Sequence, residues 1–111
     1  MKEKYKSCGL DFDLISSKFI NINEYEETVN AYLSDPFFNE LEDMLDSEDY
    51  ALAKDAVKGL YILASDLCLY PLYEALLEIF EDLEYETYEE IMTHYNDMMG
   101  VYKKIRGIFN A

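Results

Sequence analysis

Residues 47–72 of this chain read SEDYALAKDAVKGLYILASDLCLYPL, and this stretch decides the fold that the sequence predicts. Its apolar residues recur at steps of three and four, so on a helix they form one stripe that can be buried. The predicted buried stripe consists of Ala53, Ala56, Val57, Leu60, Ala64 and Leu67. Because successive helical residues are rotated by ~100°, a second stripe lies beside the buried one. This second stripe consists of Lys54, Lys58, Tyr61 and Ser65. Such a helix can pack on one face and display chemistry on another.

Start signals predict further helices on both sides of this stretch. Some are Asn, Asp, Ser or Thr residues that can cap a helix, two of them in the capping-box pattern, and others are prolines, which fit a first turn. The predicted starts are Asn23, Asp35-Pro36, Ser47, Pro71 and Thr87, and residues 10–19 add a short N-terminal helix. No stretch alternates in the manner of a strand. We therefore predict an all-α fold, an antiparallel up-and-down four-helix bundle preceded by a short N-terminal helix.

The length of 111 residues predicts a single domain that spans residues 1–111. The polar start of the chain, MKEKYK, carries no packing signal, and we expect residues 1–9 to be flexible. The chain contains 11 tyrosines and no tryptophan. On helices, tyrosines favour the edge of a core, so we expect their hydroxyl groups to lie in water.

The charge of the chain restricts its partners. There are 24 acidic residues against 9 basic ones, which gives a formal net charge of -15. Such a field repels phosphate backbones and anionic lipids, so we expect neither nucleic acid nor a membrane as a partner, and favour protein. The two cysteines, Cys8 and Cys68, have no CxxC spacing, and no apolar run reaches the ~20 residues of a membrane span. We expect reduced thiols in a cytoplasmic protein.

Enzymatic and metal chemistry find little support in the residue pattern. His94 is the only histidine, so any mechanism that needs two imidazoles is excluded. A Glu-x-x-His pair would be needed on each of two helices for a carboxylate-bridged metal pair, and the chain has neither pair. The acidic runs alternate with apolar residues, as the solvated faces of helices do. We predict a protein that is not an enzyme and that has no cofactor and no metal site.

Lys54 and Lys58 are the only cations between Phe19 and Gly100. They lie one turn apart on the predicted central helix. Either one could pair with Asp55 or with a carboxylate on a neighbouring helix, where an exposed pair stabilises by under ~1 kcal/mol. The alternative is that they belong to a binding surface, and the sequence leaves both interpretations open.

Several segments together resemble histidine-containing phosphotransfer (HPt) domains, the helical bundles that present one exposed histidine to receiver domains in two-component signalling. The matching segments are LDFDLISSKF, NEYEETVNAYLSDPFFNELEDML, EDYA and LCLYPLYEAL, in that order within residues 10–108. Each motif alone is weak, but together they extend over almost the full length. The resemblance implies the same bundle that the helix pattern predicts.

The phosphoacceptor histidine of that family is absent here. When LCLYPL is aligned with the family's Leu-Gly-x-x-Pro-Leu, Lys58 occupies the histidine position, and Cys68 occupies the glycine. Tyr61 and Ile62 then replace the Lys-Gly pair of the family motif. A second register places Asp55 at the histidine position, but it needs a three-residue insertion. We prefer the ungapped register, and in both registers the imidazole is missing.

The resemblance without the histidine implies a pseudo-phosphotransfer protein. It would bind a receiver domain of a response regulator or a histidine kinase, as a monomer, and would carry no phosphate. The expected partner-binding residues are Lys54, Lys58, Tyr61, Ile62 and Ser65. Two other interpretations stay open: a general acidic interaction module without two-component partners, and an active phosphotransfer protein that uses a residue outside the motif, such as His94.

Overall fold

The structure, a computed structural model, describes residues 1–109. Within these residues the chain forms helices and contains no strand, so the predicted all-α class is confirmed. The helices are α1 Lys2–Lys6, α2 Phe12–Lys18, α3 Ile22–Leu33, α4 Phe37–Asp46, α5 Tyr50–Asp66, α6 Tyr70–Asp82 and α7 Tyr88–Phe109.

Helices α3 and α5 run antiparallel along each other. Near the start of α3, the Tyr25 hydroxyl donates a hydrogen bond of 2.7 Å to the carbonyl of Leu67, just beyond the end of α5. Two turns later, the Tyr32 hydroxyl donates one of 2.6 Å to the carbonyl of Leu60. Residue numbers rise on α3 while their partners' numbers fall on α5, as in an up-and-down bundle.

Helices α5, α6 and α7 continue the same alternation. Tyr61 packs edge-on against Tyr73 near the start of α6, whereas Lys54, earlier on α5, pairs with Glu84 beyond the end of α6. A short connection, residues 83–87, then reverses the chain into α7. His94 of α7 therefore returns to contact the last turns of α6.

Helices α3 and α4 together form one column of the bundle, broken at residues 34–36. At the break, the Tyr102 hydroxyl of α7 donates to the carbonyl of Leu33, and the Phe38 ring stacks on the Tyr102 ring at 4.4 Å. At the end of α4, the Tyr88 hydroxyl of α7 donates to Asp46. The column formed by α3 and α4 thus packs along the length of α7. Together with α5, α6 and α7 it gives four antiparallel columns around one core.

Two predicted helix starts lie a short distance from the observed ones. Asn21, and not Asn23, caps α3, because its side chain accepts hydrogen bonds from the amides of Asn23 and Glu24. Asp49, and not Ser47, caps α5 by accepting from the amide of Leu52. In both cases a neighbouring polar residue can cap equally well, so the sequence alone does not choose between them.

Other helix ends follow the prediction more closely. The Thr87 hydroxyl accepts a hydrogen bond of 3.4 Å from the amide of Glu90, as in a capping box at the start of α7. The central helix ends at Asp66, before the predicted break at Tyr70-Pro71, and α6 begins at Tyr70 with Pro71 in its first turn. Proline therefore lies inside the start of α6, where it loses no hydrogen bond.

The beginning of the chain differs from our expectation that residues 1–9 are flexible. Residues Lys2–Lys6 form α1, and the side chain of Tyr5 is completely buried. The Tyr5 ring packs edge-on against Phe12 and Phe109, and its hydroxyl donates a hydrogen bond of 2.6 Å to Glu26. One aromatic residue therefore anchors a segment whose other side chains are polar.

Candidate functional site

Helix α5 buries the predicted stripe and displays the opposite side to solvent. The six predicted core residues Ala53, Ala56, Val57, Leu60, Ala64 and Leu67 are all buried. The residues that α5 exposes on its solvent side include Leu52, Asp55, Lys58, Gly59, Ile62 and Leu63, and we call these six the displayed face. Within residues 1–109, no helix covers the displayed face.

The displayed face is more apolar than the outer side of a bundle helix usually is. Leu52, Ile62 and Leu63 are 49%, 45% and 47% exposed. Surface helices ordinarily place charged or polar residues opposite their buried stripe. Three large aliphatic side chains on one exposed helix face suit contact with another molecule.

Lys58 stands on this face without a carboxylate partner. It is exposed, and among residues 1–109 no ion pair involves it. Ile62 follows one turn later, so an ammonium group and an aliphatic side chain adjoin each other. The structure thus leaves Lys58 available, which the sequence could not decide.

Lys54 is paired with a carboxylate, which is the other interpretation that the sequence allowed. Its ammonium group pairs with Glu84 and lies 5.0 Å from the centre of the Phe80 ring. Both partners belong to the end of α6 and the connection after it. Lys54 therefore fastens α5 to its neighbour, and its side chain is only partly exposed.

Tyr61 and Ser65 do not belong to the displayed face. The Tyr61 ring packs against α6, edge-on to Tyr73 at 5.8 Å and to Phe80 at 5.4 Å. Both Tyr61 and Ser65 are half-buried. The predicted second stripe is therefore divided: Lys58 is displayed, Lys54 and Tyr61 line the seam between α5 and α6, and Ser65 is half-buried.

Gly59 is exposed on the displayed face beside Lys58. A β-carbon at this position would meet no other atom within 4 Å, so core packing does not require glycine here. Glycine inside a helix is less favourable than alanine by about 1 kcal/mol. A glycine that packing does not require, next to Lys58, allows a partner to approach the backbone of α5 closely.

Asp55 is exposed on the same face, one turn before Gly59. Both candidate positions for the missing histidine, Lys58 and Asp55, are therefore solvent-accessible, and exposure does not distinguish the two registers. What the two positions share is a place on the displayed face.

The end of α5 has the backbone conformation of a glycine position. Cys68 has φ of 58°, in the left-handed region that favours glycine. The amide of Leu69 donates a hydrogen bond of 2.8 Å to the carbonyl of Ala64, and the amide of Cys68 donates one of 3.0 Å to Ser65. These two bonds form a Schellman cap, whose left-handed residue is usually glycine.

His94 lies outside the displayed face, where α7 meets α6. Its Nδ1 atom contacts the Asp82 carboxylate, and its Nε2 atom lies 3.1 Å from Oε1 of Glu78. The hydrogen bond to Asp82 is the main cause that raises the pKa of His94 above its ordinary value of 6.5. Contact with two carboxylates favours the imidazolium form, which has no free nitrogen lone pair.

Charge is segregated along the long axis of the bundle. Lys4 of α1 lies 5.6 Å from the Phe109 ring of α7, so the basic start and the basic end of the chain meet at one end. Seven of the nine basic residues belong to these segments: Lys2, Lys4, Lys6, Lys18, Lys103, Lys104 and Arg106. The opposite end holds the acidic α4–α5 and α6–α7 connections, which the Tyr88–Asp46 hydrogen bond brings together.

Residues 1–109 lack the features of a metal site and of a membrane-spanning helix. No group of three or more His, Cys, Asp or Glu side chains has the arrangement of a metal site. None of the helices has the length and apolar character needed to cross a membrane. The carboxylates that contact His94 are those of Glu78 and Asp82 on α6.

Comparisons with known proteins add no assignment. No protein-family model, curated protein or solved structure matches this chain. The resemblance to HPt domains therefore remains a prediction from the motifs of the sequence.

Proposed function

We propose that this protein is an HPt-like pseudo-phosphotransfer protein of two-component signalling. It binds a receiver domain or a histidine kinase through the displayed face of α5 and regulates or sequesters that partner without carrying phosphate. The observation that carries the proposal is Lys58, an exposed cation that forms no ion pair within residues 1–109 and that shares the displayed face with exposed Leu52, Ile62 and Leu63. The partner surface of this proposal centres on Lys58 and Ile62, with Leu52 and Leu63 beside them.

The chemistry of lysine supports the absence of phosphate transfer. A relay residue must attack an acyl phosphate with a free nitrogen lone pair and then release the phosphoryl group to an aspartate. An exposed lysine at neutral pH is an ammonium ion, whose lone pair is occupied by a proton. Lys58 can therefore provide attraction to a carboxylate cluster but no relay.

The left-handed conformation of Cys68 supports the alignment of LCLYPL with the family's Leu-Gly-x-x-Pro-Leu. The family motif places glycine at this position, and the backbone here has the positive φ that glycine tolerates best. Counted back from Cys68 without a gap, Lys58 takes the place of the histidine. The second register keeps Cys68 at the same position but needs an insertion to place Asp55 there, so we prefer Lys58.

The environment of His94 disfavours the rival proposal of an active relay. Asp82 and Glu78 hold its ring from both sides, which stabilises the protonated form. The same carboxylates repel an incoming acyl phosphate. Under our proposal His94 is therefore a structural residue.

Under the same proposal the protein acts in the cytoplasm and as a monomer.

The first experiment measures binding to purified receiver domains and histidine kinases from the same organism by isothermal titration calorimetry. Lys58→Glu should weaken binding at least tenfold, because it reverses the charge at the centre of the contact. Lys103→Glu is the matched control, since it makes the same change at an exposed position of α7 and should leave the affinity unchanged. Equal losses in both variants would instead indicate a nonspecific charge effect.

A second experiment tests the absence of phosphate transfer. The protein is incubated with a phosphorylated receiver, and acid-labile phosphoramidate is measured on it. None is expected. Phosphorylation that disappears in His94→Gln would support the active relay instead.

The third interpretation is distinguished by binding and not by phosphorylation. Stable binding only to proteins unrelated to two-component signalling would support the general acidic interaction module.

A further inference from the structure

His94 connects the last two helices through both of its ring nitrogens. Nδ1 contacts the Asp82 carboxylate within hydrogen-bond distance, and Nε2 lies 3.1 Å from Oε1 of Glu78, while these two carboxylates lie one turn apart on α6. A protonated histidine carries a positive charge and a proton on each nitrogen, whereas the neutral ring has one donor and one acceptor. Carboxylates beside both nitrogens therefore favour the imidazolium form.

The other charged groups around His94 have the same sign as these two partners. Glu78 and Asp82 face it from α6, Glu86 from the connection, and Glu90 and Asp97 from its own helix. Lys54, the other cation at this end of the bundle, is already paired with Glu84. No second cation can therefore replace the charge of His94 when the ring loses its proton.

The two carboxylates are not equally exposed. The Asp82 side chain is largely buried, whereas the Glu78 side chain is more than half exposed. The neutral ring keeps one proton. This proton stays on the nitrogen that faces Asp82, because leaving a buried acceptor without a donor costs free energy. Glu78 then faces a lone pair and moves into water.

We propose that His94 is a protonation-controlled clamp, which fastens the last two turns of α6 to α7 when it is charged and loosens them when it is neutral. This inference goes beyond the proposed function and does not depend on it, since the displayed face belongs to α5. The hydrogen bond to Asp82 raises the pKa of His94 above 6.5, so the change falls above that pH.

The segment that responds is the end of α6 with the connection to α7. Its backbone bonds include those from the amide of Leu83 to Ile79 and from the amides of Tyr85 and Glu86 to Asp82. The side chain of Asp82 thus contacts His94, while its backbone carbonyl accepts the hydrogen bonds from the connection. When the ring loses its charge and with it the attraction to these carboxylates, the amides open more often while the rest of the bundle stays closed.

The experiment measures hydrogen exchange by NMR from about pH 6 to about pH 9, across the range in which histidine titrates. After correction for intrinsic exchange, protection of the Leu83, Tyr85 and Glu86 amides should fall about three- to tenfold with rising pH, the range for one lost hydrogen bond. Protection of the amides in α3 should stay constant. The His94 ring resonances should titrate with a midpoint above 6.5 and in step with this loss.

Two variants provide the comparison. His94→Gln removes the titrating group, so protection of the three amides should be low and independent of pH. His94→Lys keeps a permanent charge between the carboxylates, so protection should stay high up to about pH 9, below the range in which lysine loses its proton. If His94→Lys does not fold, the flat profile of His94→Gln decides alone. Constant protection in the wild type, or the same fall in His94→Gln, would overturn the proposal.

Discussion

The hydroxyl group of Tyr32 on α3 donates a hydrogen bond of 2.6 Å to the backbone carbonyl of Leu60 on α5. Both residues are buried, and Leu60 immediately follows Gly59 of the displayed face. The bond therefore joins the core side of α5 to a neighbouring column directly beneath Lys58. A second hydrogen bond, from the Tyr25 hydroxyl to the Leu67 carbonyl, joins α3 to the end of α5 about two turns away. Together they fix the position of α5 along the axis of the bundle, and hence the position of its exposed residues.

Tyr32→Phe should lower the free energy of unfolding by about 1 kcal/mol, because the mutation removes one buried hydrogen bond while the ring can stay in place. Urea denaturation followed by circular dichroism measures the change. Tyr85→Phe is the control, since Tyr85 is 83% exposed, and it should change the free energy by less than about 0.5 kcal/mol. Equal effects in the two variants would contradict the role of the Tyr32 hydroxyl.

Gly59→Ala should raise the free energy of unfolding by about 0.5–1 kcal/mol, because a methyl group meets open space here and alanine favours the helix. Gly9→Ala should have the opposite sign, since Gly9 has φ of 79° and its β-carbon would lie 3.2 Å from Cγ of Pro71. Thermal unfolding of both variants checks this. If a partner approaches α5 closely, Gly59→Ala should also weaken its binding, whereas Gly100→Ala, equally open on α7, should not.

Glu48→Gly should stabilise the fold by about 1 kcal/mol. Glu48 has φ of 57° at the end of α4, in the left-handed region where a side chain is unfavourable. Glu48→Ala removes the same charge without relieving the backbone, so it should give no comparable gain. Glu42→Gly, in the exposed interior of α4, should destabilise by about 1 kcal/mol. Denaturant midpoints of the three variants distinguish backbone conformation from charge.

The stability of the wild type relative to His94→Gln should depend on pH. The folded-state pKa of His94 lies above the unfolded value of 6.5. The folded state therefore binds the proton more tightly, and this contribution is complete below about pH 6.5 and is lost as the pH rises through the folded pKa. Denaturation of both proteins across this range should show the difference shrinking with pH. A difference that grows with pH would have the wrong sign.

Parts of the site could be predicted from the sequence, and the exposed position of Lys58 and Ile62 is one of them. Helical rotation places both away from the buried stripe. The same rotation also places Leu52 and Leu63 outside the predicted buried stripe, although neither was among the expected partner-binding residues. Lys54 was ambiguous, because its partner Glu84 lies thirty residues further along the chain and its pairing depends on how α6 packs.

The sequence by itself determined the all-α class, the antiparallel order of the columns and the buried stripe of α5. These depend on the spacing of apolar residues and on short connections, which are local properties of the chain. Only the tertiary structure decided that Tyr5 anchors the first helix, that buried tyrosine hydroxyls bond to backbone carbonyls instead of water, and that Lys54 and Lys58 have different environments. The physical reason is that each of these outcomes depends on a partner atom supplied by a distant segment, which no local pattern places.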